Sequence, residues 1–312
     1  MRCMPLSVCD LFTSELFKQL AIMRRCLLSA IGLLAMLTGC VFTAAQAVAD
    51  SGNHSQLVII IDDLGNNLEL GRRAVELPGA LTYAILPHTP LAKKLAFYAT
   101  QLDQRKDIII HMPMASVQNK RLGPGGLETH HDQQAFVETL HKAFAAIPFA
   151  SGLSNHMGSK LTALPDRMDW LMAELGKCEF YFVDSKTTGN SSAQNAAATR
   201  KIPYLSRDIF LDHDPSPAAI DKAYNDALQL ARQKGIAVVI GHPYTSTLDY
   251  LEKALPQLAN SDVTLISAGE ALLLQTKTRY KTASHQQALH KQHKVFAASN
   301  NQAGSITAQQ SY

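Results

Sequence analysis

From residue 56 onward the chain alternates short β-branched or apolar runs with longer amphipathic ones, a pattern that leaves few architectures open. The runs Leu57–Ile61, Leu81–Leu86, Asp107–Ile110, Ala150–Leu153, Phe180–Val183, Ile202–Leu205, Ile236–Ile240 and Val263–Ile266 read as strands. The stretches 67–77, 91–102, 132–146, 166–176, 191–200, 216–234, 247–258 and 268–275 read as helices. Such alternation predicts a parallel sheet with helices outside it. Eight units in roughly 220 residues suit an α/β single domain, a distorted (β/α)7–8 barrel. An open doubly wound sheet is the competing architecture. No Gly-x-Gly-x-x-Gly follows the first strand, so a dinucleotide fold loses its main support.

The flanks have a different character. Arg24 and Arg25 precede the uncharged apolar run Cys26–Leu37, which suits a signal peptide and is short for a membrane span. Met23 directly before the arginines is a natural start. Residues 1–47 therefore read as a signal region with two competing processing sites. Leu37-Thr38-Gly39-Cys40 resembles a lipobox, in which Cys40 would carry lipid; Ala45-Gln46-Ala47 suits ordinary cleavage after Ala47. Either route predicts an exported, periplasmic domain, with membrane contact only through the signal or a lipid anchor. Residues 48–56 read as a linker, 57–275 as the domain and 276–312 as a disordered, polar, basic tail. That tail holds five basic and no acidic residues, whereas 51–275 hold 20 basic against 23 acidic. The net charge of +3 thus belongs to the flanks, and a basic nucleic-acid-binding face on the domain is not expected. Cys178 is alone in the domain, so no internal disulfide is expected there.

Nearly every strand candidate ends in a chemically capable residue. The first runs into Asp62-Asp63, the second into His88, the third into His111 and the fourth into Asn155-His156. The fifth leads to Asp184-Ser185, the sixth to Arg207-Asp208 and Asp212, the seventh to His242. A parallel barrel opens all those ends on one face, where catalytic groups collect. Residues 115–130, containing Gly123-Pro124-Gly125-Gly126, form a long loop that reads as a rim or lid of that face.

Each residue also has a plainer reading. Asp62-Asp63 would serve as a cap for the following helix, and His111 or His156 alone as a structural histidine. Strand residues alternate faces, so both carboxylates reach one site only if the chain leaves the strand after Ile61, a turn that Gly65 makes easy. Taken together, a carboxylate and two imidazoles form a ligand set for catalytic zinc with a position left open. A second carboxylate can then accept a proton and a further imidazole can donate one. No Gly-x-Ser-x-Gly elbow and no His-Glu-x-x-His pair is present, so serine-hydrolase and zincin readings have no foothold.

The segments Ile60–Gly65, His111–Met114, Asn155–Ser159, Val183–Ser185, Arg207, Phe210–Asp212 and Gly241–Pro243, in this order, resemble the divergent polysaccharide deacetylases, relatives of the NodB-type carbohydrate deacetylases. The resemblance covers roughly 57–274. It implies a NodB-like barrel, a divalent metal such as zinc, and hydrolysis of acetyl groups on a polysaccharide or peptidoglycan-like glycan. By the resemblance, Asp62 is the general base, Asp63 a metal ligand and His242 the general acid. Ordinary members carry both histidine ligands on one His-x-x-x-His segment. Here nothing follows His111 at that spacing, and His156 would supply the second ligand from the next βα unit. Asn155, Asp184, Arg207, Asp212 and His88 remain as substrate-binding or supporting residues.

Two other readings are open. A glycosidase would pair Asp62 or Asp63 with Asp184 or Asp212 at about 5–10 Å and need no metal. A non-catalytic envelope protein would keep the barrel to bind glycan or a partner.

Overall fold

The computed structural model describes residues 55–102 and 105–277; the signal region and most of the predicted tail lie outside them. Nine parallel strands form one curled sheet: β1 (Ser55–Leu64), β2 (Thr82–Ile85), β3 (Asp107–Met114), β4 (Gly152–Met157), β5 (Tyr181–Asp184), β6 (Tyr204–Ser206), β7 (Ile209–Phe210), β8 (Ile236–Gly241) and β9 (Val263–Leu265). The helices between them are α1 (Leu68–Glu76), α2 (Ala92–Leu102), α3 (Gln133–Ala146), α4 (Pro165–Lys177), α5 (Ala193–Arg200), α6 (Pro217–Lys234) and α7 (Thr245–Leu258), and 268–277 form α8. The strand order is β6-β5-β4-β3-β2-β1-β8-β7, with β9 pairing the start of β1.

Alternating strand residues divide the core in two. Leu57, Ile59 and Ile61 of β1 pack outward with Val75, Phe136, Leu171, Ile220 and Leu248 from the surrounding helices. Val58 and Ile60 point inward with Ile109, Val183, Leu205, Val238 and Ile240, and meet Ala268, Ala271 and Leu272 of α8. Each such aliphatic side chain contributes about 1.5–3 kcal/mol by leaving water. The two sheet edges are joined by one segment that pairs first with β5 and then with β8. Within it the Arg207 N–H donates to Asp184 and the Asp208 N–H to Val238. The sequence places the sixth strand at Ile202–Leu205; it begins instead at Tyr204 and restarts as β7 after Arg207-Asp208. The curled, inward-packed sheet, a half-barrel whose two edges are bridged by this segment, is a distorted (β/α) barrel rather than a doubly wound sheet.

The domain is slightly wider than its predicted 57–275, because β1 starts at Ser55 and α8 runs to residue 277. Asp107, at the start of β3, ties α8 to the floor of the barrel. Its carboxylate accepts from the Gly269 N–H at 2.9 Å, the Tyr181 hydroxyl at 2.6 Å and the Ser151 hydroxyl. Removing it leaves the nearly buried Tyr181 hydroxyl without its partner. Asp107→Ala is expected to destabilise the domain by about 1–3 kcal/mol. The denaturation midpoint measures this, and an unchanged midpoint would mean that α8 is held by its apolar face alone.

Candidate metal centre

The site begins with an irregularity in β1. Ile61 pairs with Tyr83 and Leu64 with Ile85, so β1 carries one extra residue there, and Asp63 adopts a left-handed φ of 59°. Asp62 keeps the inward parity of Val58 and Ile60 and is buried, while the bulge turns Asp63 to the same end. The strand therefore does not end after Ile61, as the sequence requires for two facing carboxylates; it bulges and continues to Leu64. Gly65 follows with φ of 127°, and a Cβ there would collide with Thr89 Oγ1. The helix-cap role read for the acidic pair belongs to Asn67, whose Oδ1 accepts the Leu70 N–H at 3.0 Å.

His111 shares inward parity with Ile109 on β3, and His156 stands on β4 opposite Pro113. Their ligand atoms and one from Asp63 lie within 4.8 Å of one another. Asp63 Oδ1 is 3.2 Å from His111 Nε2 and 2.8 Å from His156 Nδ1. Despite these separations, that oxygen is buried and has no hydrogen-bond partner. Three donors crowded around a point without bonding one another are what a cation would satisfy. A carboxylate with two imidazoles matches zinc's preferred ligands. Ser154, opposite His111 in the register, places its buried hydroxyl 2.8 Å from His111 Nδ1 and leaves Nε2 directed at Asp63.

Electrostatics sorts these groups. Burial opposes the charge on Asp63, yet the two histidines hold its carboxyl well below the usual range. Burial lowers His111 to about 4 against the pull of Asp63, so its ring is neutral at pH 7 and free to act as a ligand. Asp62 lies 3.4 Å from His111 Nε2 through Oδ2, and its Oδ1 is buried without a partner. Burial first, then the charge of Asp63, raise Asp62 well above an ordinary aspartate, while His242 and Arg207 pull it back.

His242 follows β8, with Nε2 3.9 Å from Asp63 Oδ2. Its Nδ1 is 2.9 Å from Asp212 Oδ1, and Asp212 Oδ2 accepts the His242 N–H at 2.6 Å and the Thr247 hydroxyl at 2.8 Å. Burial works against the imidazolium, but Asp212 chiefly, with Asp62 and Asp63 behind it, raises His242 to about 9.

A family model described as divergent polysaccharide deacetylase matches residues 59–272. The chain belongs to this family. Among its relatives are the uncharacterised protein YibQ of Escherichia coli K12, 32% identical over 74% of this chain and 72% of that one. An uncharacterised Haemophilus influenzae protein is 34% identical over 73% of this chain and 81% of that one. The crystal structure of an uncharacterised protein from Agrobacterium tumefaciens C58 superposes with a TM-score of 0.67 at 18% identity, covering 71% of this chain and 91% of that one, and so shares its fold.

The remaining expected site residues of this deacetylase-family chain divide into supports and bystanders. Arg207 Nε and an Nη hold the Ser185 and Lys186 carbonyls at 2.8 and 2.9 Å, and its guanidinium lies 3.6 Å from the Phe210 ring centroid. Asn155 braces the same turn, accepting the Ser185 N–H at 2.9 Å and donating to Met157 at 2.7 Å. Asp184 has the outward parity of β5 and accepts from Lys186, Ser191 and Tyr204. Ser185 beside it has the inward parity of Val183 and a buried hydroxyl with no partner, so strand alternation favours the serine. His88 is exposed, at φ 62°, against Gly125 of the long loop, and is not part of the metal cluster. That loop is pinned to the site end of β3 by paired bonds of Leu127 with Pro113 and Ala115, which makes it rim. Ser154, Thr247 and Tyr244 carry no site signal in the sequence, and Ser185 and Phe210 carry one only as members of longer motifs.

Proposed function

We propose that the chain is a divalent-metal-dependent hydrolase that removes acetyl groups from a cell-envelope glycan after export to the periplasm. The observation that carries this reading is the convergence of Asp62, the Asp63–His111–His156 cluster and the Asp212–His242 pair at the carboxyl end of one barrel. The export half rests on the Arg24-Arg25 and Cys26–Leu37 leader.

A divalent cation bound by Asp63, His111 and His156 would supply Lewis acidity, activating water and polarising the acyl carbonyl. Asp62 faces the same point and accepts the proton that the attacking water loses. Its free Oδ1 has no competing donor. His242, fixed through Nδ1 by Asp212, carries the opposite proton inventory and delivers one from Nε2 to the departing amine or alcohol. Acetate and the free glycan amine or hydroxyl are the products. The glycosidase alternative needs Asp184 or Asp212 as a free carboxylate, and both are engaged in internal hydrogen bonds.

The test is zinc quantification on the purified protein with acetate release from N- and O-acetylated glycan oligomers across pH. One zinc per chain and acetate release are expected. His242 stands at about 9, above its ordinary 6.5, so its acid form is retained below that value and lost above it. Rate should therefore fall on the alkaline side, as the imidazolium is lost. A zinc-loaded protein that releases no acetate from either substrate type would sink the proposal.

A further inference from the structure

Along the side of the barrel mouth formed by β7 and β8, four groups stack in series. The Arg207 guanidinium covers Phe210; Phe210 stacks on His242 with centroids 6.2 Å apart and planes at 24°; His242 stacks on Tyr244 at 5.4 Å and 27°. The general-acid candidate is thus the inner member of an aromatic sandwich, and Tyr244 is its outer end. Tyr244 remains 47% exposed although one ring face is covered by His242. Its phenol is still near enough to the centre to feel the charges of Asp212 and Asp63.

Among the described ring contacts, Tyr244 makes one, the stack on His242. Tyr244 occupies the cap position before α7, where its side chain makes no capping hydrogen bond. Its backbone N–H reaches the His242 carbonyl at 2.8 Å, a bond that survives any change of side chain except proline. An exposed aromatic face beside a polar reaction centre suits a ligand that is apolar on its flat face and polar at its rim. A pyranose ring has that form: its C–H bonds present a flat apolar face and its hydroxyls lie around the edge.

We propose that Tyr244 is the sugar-stacking residue of this site, holding the acetylated pyranose ring so that its acyl group faces the Asp63–His111–His156 cluster and its leaving atom faces His242. The assignment rests on the glycan reading above and adds a requirement: the substrate is an acetylated ring, not an acyclic acetyl ester. Phe210 and Arg207 hold the imidazole from behind, so the sugar and the proton donor share one wall.

Binding separates this inference from the activity. Calorimetric titration of the EDTA-treated protein with an N-acetylglucosamine tetramer and with acetylated glycan strands measures the platform without catalysis. Tyr244→Ala should weaken binding by about tenfold, the scale of one lost aromatic contact. Tyr244→Phe keeps the ring and should bind within about twofold of the parent protein on the same scale. Zinc affinity should be equal in all three, since no ligand is touched. Tyr244→Ala binding as tightly as the parent overturns the platform, as does a parent protein that binds neither glycan. Tyr244→Phe falling as far as Tyr244→Ala would assign the contact to the hydroxyl and overturn stacking. Glycan binding with the expected Tyr244 dependence but no acetate release would retain the platform and defeat the deacetylase reading.

Discussion

His156→Ala is expected to lose zinc almost completely while the domain stays folded. Disturbing only the group behind a ligand typically costs about 10–100-fold in metal affinity, so deleting one of the three proposed ligands should exceed ~100-fold. The fold should survive because His156 is only half-buried and its close polar contact is with Asp63. The β3–β4 ladder at Pro113 and His156 is made by the backbone and is untouched. Equilibrium dialysis with zinc, alongside a melting curve, reads both quantities. Loss of zinc with an unchanged curve is the expected pair. Full occupancy in His156→Ala would remove it from the ligand set and turn attention to His242, whose Nε2 is 3.9 Å from Asp63 Oδ2. The same substitution strips one of the two imidazoles that keep the Asp63 carboxyl ionised, which further weakens the residual site.

The barrel was legible because its strands and helices differ in period, and a parallel sheet collects strand ends on one face. Strand parity carries more of the site than the strand ends alone. Val58 and Ile60 lead inward to Asp62, Ile109 to His111, Val183 to Ser185, and Val238 and Ile240 to His242. By the same count Asp184 points outward, into bonds with Ser191 and Tyr204, and is a support. What parity misses is the bulge: Asp63 breaks alternation through one left-handed residue, and no pattern in Ile61-Asp62-Asp63-Leu64 announces it. His88 misled for a related reason. It lies in the turn three residues after β2, and its left-handed φ sets it against Gly125. The partners that tune the site were also hidden, since Ser154 reaches His111 across 43 residues and Thr247 reaches Asp212 across 35. Sequence distance carries no signal for such pairs; strand register does.

The acidic pair offers the sharpest separation of roles. Asp62→Asn and Asp63→Asn are nearly isosteric with the parent and differ only in which carboxylate becomes an amide. Asp63 has both histidines against one oxygen, whereas Asp62 meets only His111, at 3.4 Å. Asp63→Asn should therefore lose zinc and activity together, because a neutral amide is a poorer zinc ligand than a carboxylate. Asp62→Asn should keep zinc, since Asp63, His111 and His156 are intact. Its rate should fall by about 10²–10⁴-fold, the usual cost of losing a general base. The burial and neighbouring charge that raise Asp62 above an ordinary aspartate make this carboxylate receptive to a proton, and an amide has no equivalent. Paired zinc quantification and acetate release on the two variants decide the matter. Zinc lost from Asp62→Asn and kept by Asp63→Asn would exchange the two roles. Zinc and full rate kept by both would leave the pair with no chemical role, and the β1 bulge would then serve only to turn the chain toward Gly65.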